Sequence, residues 1–125
     1  MVTTRDIMRT TDEHVGAHET LADAARKMRD LDVALLPVCG PQGSLAGMMT
    51  DRDIVTRCIA AGGDPYTVLV GELVDEMPVH ISADASIEHA LVTMASHRVR
   101  RLPVFDGGNW VGMLADTDAA RSLKS

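Results

Sequence analysis

The sequence predicts an α/β fold of two tandem β-α-β-β-α repeats related by a pseudo-twofold, with small sheets flanked by helices. Three observations predict it. The chain overlays itself at a shift of 66 residues, falling to 65 near the end of each copy. Each half carries an apolar stripe at helical spacing. Each half then carries two short apolar runs joined by a turn signal, the pattern of a hairpin.

The overlay is ordered along most of both halves. Residues 20–28 fall on 86–94, with Leu21 on Ile87, Ala24 on Ala90 and Met28 on Met94. Val33 falls on Val99, and Leu36, Pro37 and Val38 on Leu102, Pro103 and Val104. After a one-residue deletion, Gly47, Met48, Asp51 and Asp53 fall on Gly112, Met113, Asp116 and Asp118. His14 and Val15 fall on His80 and Ile81. The divider at 60–65 contains Gly62, Gly63 and Pro65, a loop signal. The repeats are therefore placed at 1–62 and 63–125.

The elements follow in order. A short strand is expected around Val15, and at 79–81 in the second copy. Leu21, Ala24, Ala25, Met28 and Leu31 form the apolar stripe of a helix capped by Thr20, with Asp23 completing a capping box. Ile87, Ala90, Leu91 and Met94 repeat the stripe behind Ser86. Strands are expected at 34–39 and 45–50 around the turn 40–44, and at 101–105 and 109–114 around Asp106, Gly107 and Gly108. A second helix follows each hairpin, at 51–60 and from 116 to about 123. A single unit of this size has a marginal core, so two packed sheet against sheet are expected to share one.

Composition removes several function classes. The net charge of −6 and the scarcity of aromatics (Tyr66, Phe105 and Trp110) argue against a nucleic-acid surface, which needs clustered cations or stacking platforms. No apolar run approaches a membrane span, and the first fourteen residues carry no signal-like apolar core, so a cytoplasmic protein without a membrane partner is expected. Cys39 and Cys58 match no zinc spacing and read as reduced thiols. His14 and His80 occupy matching positions, but no His-x-x-x-His or Cys-x-x-Cys supplies the four donors zinc takes, so no metal is assigned. Met28, Met48, Met49, Met94 and Met113 recur with the core pattern. The chain has no Gly-x-Ser-x-Gly, no phosphate loop and no catalytic carboxylate pair in a recognisable context, so an enzyme is not expected.

Two tandem units of this order, each with a Leu-Pro-Val strand and a Gly-to-Asp segment entering the last helix, resemble a cystathionine-β-synthase (CBS) domain pair, or Bateman module. The resemblance runs from Arg5 to about Ala120 and is strongest at 47–55 and 99–104. Residues 5–8, 36–40 and 50–53 resemble the short stand-alone members of the hypoxic response protein type. The resemblance implies a regulatory protein without catalytic residues. Such a protein often dimerises, and it binds an adenosine-containing ligand such as AMP, ADP or ATP in a cleft between repeats. No cofactor is required, and a regulated protein partner is implied.

That family pattern places Thr50 on a phosphate and Asp53 on a ribose. The same Thr-x-x-Asp also reads as a capping box needing no ligand. Asp118 stands where Asp53 stands, but Ala115 replaces Thr50, which ranks the first repeat above the second for a phosphate-bearing ligand. Arg98, Arg100 and Arg101 are placed at the start of a strand. Arg100 and Arg101 read either as forks for a ligand phosphate or as a solvated edge protected by charge. Two other readings stay open: a dimeric interaction module that needs no ligand, and a metal- or redox-responsive protein using His14, His80 or Cys39.

Overall fold

The computed structural model describes every residue except Asp12, Asp75 and Ser125. It contains α1 (Thr4–Ile7), β1 (Val15–Gly16), α2 (Leu21–Leu31), β2 (Leu35–Cys39), β3 (Leu45–Thr50) and α3 (Asp51–Asp53). The last of these continues as a π-helical segment, Ile54–Ile59, and a 3₁₀ turn follows at Val70–Leu73. The second copy has β4 (Ile81–Ser82), α4 (Ile87–His97), β5 (Arg101–Asp106), β6 (Asn109–Ala115) and α5 (Asp116–Ser122). The α/β class and the tandem repeat are as the pattern predicts. Two sheets form, ordered β1-β2-β3 and β4-β5-β6, each with a parallel pair followed by an antiparallel hairpin.

Register is preserved between the copies. Val15 pairs with Val38 and Ile81 with Val104; Leu36 pairs with Met49 and Leu102 with Leu114. Both hairpins carry an irregularity at the same place, after Val38 and after Val104. The second hairpin turns on Gly107 and Gly108, at φ of 58° and 87°, a left-handed pair that suits a two-residue loop. Thr20 and Ser86 cap α2 and α4, each side-chain oxygen accepting the backbone N–H three residues on at 3.1 Å. Asp23 returns a bond from the Thr20 N–H, which with Arg26 holds its carboxyl below the ordinary range. His89 stands where Asp23 stands, so in the second copy the sequence offers no carboxylate for this return bond.

The opening turn of each repeat docks on the other repeat. Thr4 N donates to Ala85 O at 2.8 Å and Arg5 N to Ala83 O at 2.9 Å. Sixty-six residues later, Val70 N donates to Glu19 O at 2.8 Å and Gly71 N to Ala17 O at 2.9 Å. The bridges Thr3↔Ser86 and Thr20↔Leu69 complete the reciprocity. The two compact units are accordingly 1–11 with 79–124, and the described residues of 13–78. They differ from the repeats at 1–62 and 63–125 by these exchanged ends. Arg5 reinforces the first exchange with ion pairs of 2.9 Å to Asp84 and to Asp106.

The buried side chains form one cluster in each unit, and the exchanged segments complete both. Val70, fully buried, joins Val15, Leu21, Leu36, Val38 and Met49, while Ile7 and Met8 pack on the cluster of Ile81, Ile87, Leu102, Val104 and Leu114. Each sheet is closed by a segment of the other repeat. Of the α2 stripe, Leu21, Ala24 and Met28 are buried as expected, whereas Ala25 and Leu31 are exposed and Ala22 takes the place of Ala25. Met48 and Met113 are half-buried rather than core. Among the described residues no helix is long and apolar enough to cross a membrane.

Three substitutions test this framework. A Cβ at Gly112 would lie 2.6 Å from the Arg9 carbonyl oxygen, and backbone cannot swing aside as a side chain can. Gly112→Ala is expected to lower stability in urea by about 1–3 kcal/mol and to speed amide exchange at Arg9 and Met113. Unchanged exchange at those amides would show that the segment is not held there. At the start of α5, Ala115 has the extended backbone of an N-cap but no side-chain acceptor, unlike Thr50 at the start of α3. Ala115→Thr is expected to raise stability by up to ~1 kcal/mol, and Thr50→Ala to lower it by about as much. A neutral Ala115→Thr on thermal unfolding would refute the capping account.

Candidate functional site

At the end of β3, the Thr50 hydroxyl accepts the Asp53 N–H at 3.1 Å, and Asp53 Oδ2 accepts the Thr50 N–H at 3.0 Å. The capping box is complete in both directions. It engages one carboxylate oxygen of Asp53 and a lone pair of the hydroxyl, leaving Oδ1 and the hydroxyl proton for other partners. Both side chains are half-buried. Beyond them the backbone widens into the π-helical segment, whose Thr56 hydroxyl donates to the Arg52 carbonyl at 2.8 Å.

The corresponding place in the second repeat is built differently. Ala115 has no hydroxyl to accept the Asp118 N–H, and the Asp118 carboxylate is paired with cations. Arg9 Nε lies 3.1 Å from Asp118 Oδ2, and an Arg121 guanidinium nitrogen lies 3.5 Å from Oδ1. The Asp118 side chain is 15% exposed, whereas Arg9 and Arg121 are 78% and 76% exposed. A cavity of 270 Å³ opens here, lined by Arg9, Arg101, Ala115, Thr117, Asp118 and Arg121 among others. Two guanidiniums pair with one carboxylate and a third arginine lines the same hollow, so it favours an anion while retaining one strong acceptor.

Of the predicted site residues, Asp118 and Arg101 are thus brought together, within one compact unit. Thr50 and Asp53 adjoin each other in the other unit. Arg100 is exposed and precedes β5; its carbonyl accepts the Asp116 N–H at 2.9 Å, but it is not among the residues lining the Asp118 cavity. Arg98 is not at a strand start. It ends α4 in the left-handed conformation at φ 55°, matching Asp32 at the end of α2.

Sequence reasoning missed Arg9 and Arg121. Arg121 was accessible, being three residues after Asp118 on a helix. Arg9 carried no local signal, since it reaches Asp118 across 109 residues of sequence. It is placed by the exchanged segment, through Arg9 N to Met113 O at 2.9 Å and Met113 N to Arg9 O at 3.0 Å. A second hollow, of 440 Å³, lies between β4, α4 and the β5–β6 turn, lined by His80, Ser82, His89 and Phe105 among others. The His80 and Phe105 rings stand 5.0 Å apart.

Among the described residues no three His, Cys, Asp or Glu side chains form a group that could hold a metal ion. Cys39 and Cys58 are buried free thiols, and burial pushes the Cys39 thiol up, away from the thiolate that oxidation and metal binding require.

Residues 4–59 and 70–125 each match the CBS domain family. Hypoxic response protein 1 of Mycobacterium tuberculosis is 46% identical over 123 residues, covering 98% of this chain and 86% of that protein. The CBS domain-containing protein YhcV of Bacillus subtilis is 39% identical over 120 residues, covering 96% and 84%. The crystal structure of Hypoxic Response Protein I, which holds two coordinated zinc ions, superposes with a TM-score of 0.89 at 46% identity over 98% of this chain and 99% of that one. CBSX2 in complex with AMP shares the fold, with a TM-score of 0.82 at 24% identity over 99% of this chain and 97% of that one. The chain belongs to the CBS domain family, as a tandem CBS pair of the hypoxic response protein type.

Proposed function

We propose that this CBS pair is a regulatory module that binds an adenosine-containing nucleotide, AMP, ADP or ATP, and acts on a protein partner rather than by catalysis. The observation that carries the reading is the Asp118 cavity, which combines a largely buried carboxylate with three arginines. A carboxylate suits the two hydroxyls of a ribose, and guanidinium forks suit a phosphate. A CBS pair of the same fold has been crystallised with AMP, which supports this ligand class.

The missing hydroxyl at Ala115 ranked the second repeat below the first. The geometry favours the reverse order. Thr50 and Asp53 bond to each other in a capping box, whereas Asp118 borders an open, cationic hollow. Thr50 and Asp53 remain candidates for a weaker second site, and Arg100 a separate candidate for a phosphate contact. Self-association as a homodimer is supported by Val55 and Ile59, apolar and more than half exposed four residues apart on the π-helical segment.

The zinc-bearing relative motivates a second reading, in which a metal ion is the signal. The described residues assemble no group of three donors, short of the four that zinc usually takes, so the nucleotide reading is preferred. On one purified sample, light scattering is expected to give a dimer mass, and elemental analysis less than one zinc per chain. A monomer at all concentrations would remove the dimer, and stoichiometric zinc would revive the metal reading.

Calorimetry with AMP tests the ligand and its place. Asp118→Asn is expected to weaken AMP by about tenfold or more, roughly 1.4 kcal/mol. Asp53→Asn is expected to cost a fraction of ~1 kcal/mol of stability as a weakened cap and to leave that binding intact. Loss of binding in Asp53→Asn with retention in Asp118→Asn would reverse the assignment. If no adenosine ligand shifts the melting temperature, the nucleotide reading falls and the ligand-independent interaction module takes its place, since a hundredfold excess over Kd would stabilise by about 2.7 kcal/mol.

A further inference from the structure

We infer that Arg9 sets the specificity of the Asp118 pocket, closing its carboxylate to neutral sugars and opening it to ligands that bring a phosphate. This rests on the nucleotide reading and adds to it a residue that no sequence motif marks. Arg9 Nε sits 3.1 Å from Asp118 Oδ2, the same carboxylate that a ribose would use. A neutral nucleoside must compete with this charge-assisted contact and offers the displaced guanidinium nothing in return. A phosphorylated ligand offers a replacement anion in the same cavity, where Arg101 and Arg121 also stand. Exchanging one anion for another leaves no charge unpaired, so the cost of opening falls on nucleosides and is largely absent for nucleotides.

The backbone suits this role. Arg9 is held to Met113 by two hydrogen bonds, and its carbonyl lies close over Gly112, so the position of the Cα is fixed. The side chain, by contrast, is 78% exposed and has room to turn. A flexible fork on a fixed anchor can pass between a carboxylate and a phosphate without moving the fold.

The test is titration of adenosine, AMP and inorganic tripolyphosphate into the wild-type chain and into Arg9→Gln and Arg9→Lys, with thermal unfolding confirming that each variant folds. Wild type is expected to prefer AMP over adenosine by about tenfold or more, equivalent to ~1.4 kcal/mol. Arg9→Gln is expected to bind adenosine more tightly and AMP more weakly, bringing the ratio to within about threefold, roughly 0.65 kcal/mol. Arg9→Lys, which keeps the charge without the fork, is expected to fall between. An AMP-to-adenosine ratio unchanged in Arg9→Gln would overturn the inference. If neither nucleoside nor nucleotide binds any of the three proteins, the nucleotide reading fails by itself and tripolyphosphate decides the role of Arg9. Weaker tripolyphosphate binding in Arg9→Gln would keep Arg9 as the anion contact. Equal binding, or none to the wild type, would overturn that as well.

Discussion

Two pairs of backbone hydrogen bonds, Thr4 and Arg5 to Ala85 and Ala83, and Val70 and Gly71 to Glu19 and Ala17, hold the opening turn of each repeat on the other. The rest of the structure depends on this exchange. A unit of about 60 residues buries too little apolar surface to be stable with comfort. Here each three-stranded sheet is closed by a segment donated from outside its own repeat, through Val70 in one core and Ile7 with Met8 in the other. Neither repeat can be excised along its sequence boundary without opening the core of its neighbour. The exchange also explains paired glycines. Gly47 and Gly112 occupy the same register, opposite Val38 and Val104, and a Cβ at either would run into the donated segment, at Val74 in one unit and at Arg9 in the other.

Most of the fold was legible because its information is local and duplicated. Helical stripes, turn glycines and the Leu-Pro-Val strands each appeared twice, and agreement between copies separated pattern from accident. Strand and helix ends were found to within a residue or two for the same reason. What escaped notice was not local. The turn at Thr4–Ile7 and the 3₁₀ turn at Val70–Leu73 are four residues each, too short for a periodicity. Their likeness lies in capping chemistry: the Thr3 N–H donates to Asp6 at 3.0 Å, and the Leu69 N–H to Glu72 at 2.6 Å. The π-helical segment was likewise hidden, since residues 51–60 read as an ordinary helix. Arg98 was misplaced because a left-handed arginine ending a helix carries no mark, whereas a glycine there would have ended the helix visibly.

The candidate site was legible in type and not in arrangement. Duplication pointed to Asp53 and Asp118 as equivalents, and one substitution, alanine for threonine, was taken to weaken the second. Sequence counts side chains lost; it does not show what the remaining ones turn to. Asp118 pairs with arginine, and its partner Arg9 arrives on the exchanged segment from 109 residues away. The two halves share a fold and register while their carboxylates have different partners. Asp53 bonds within its own helix start. Asp118 pairs with Arg9 and Arg121.

This asymmetry bears on how a ligand could carry a signal. Binding shifts an equilibrium only as far as the ligand distinguishes two states of the protein. A ligand held by Asp53 alone meets a carboxylate already fixed in a helix start, where little rearranges. A ligand held at Asp118 competes for Arg9, whose neighbours Ile7 and Met8 pack on the second core and whose backbone pairs with β6. The side chain that would respond to the ligand and the segment that closes the core are therefore the same stretch of chain. Contact with a phosphate at Arg9 acts on a side chain whose backbone is held to Met113, on a segment shared between repeats, so the response starts with the guanidinium. The exchange that makes two small repeats foldable thus also places a charged, movable group where an anion can reach it.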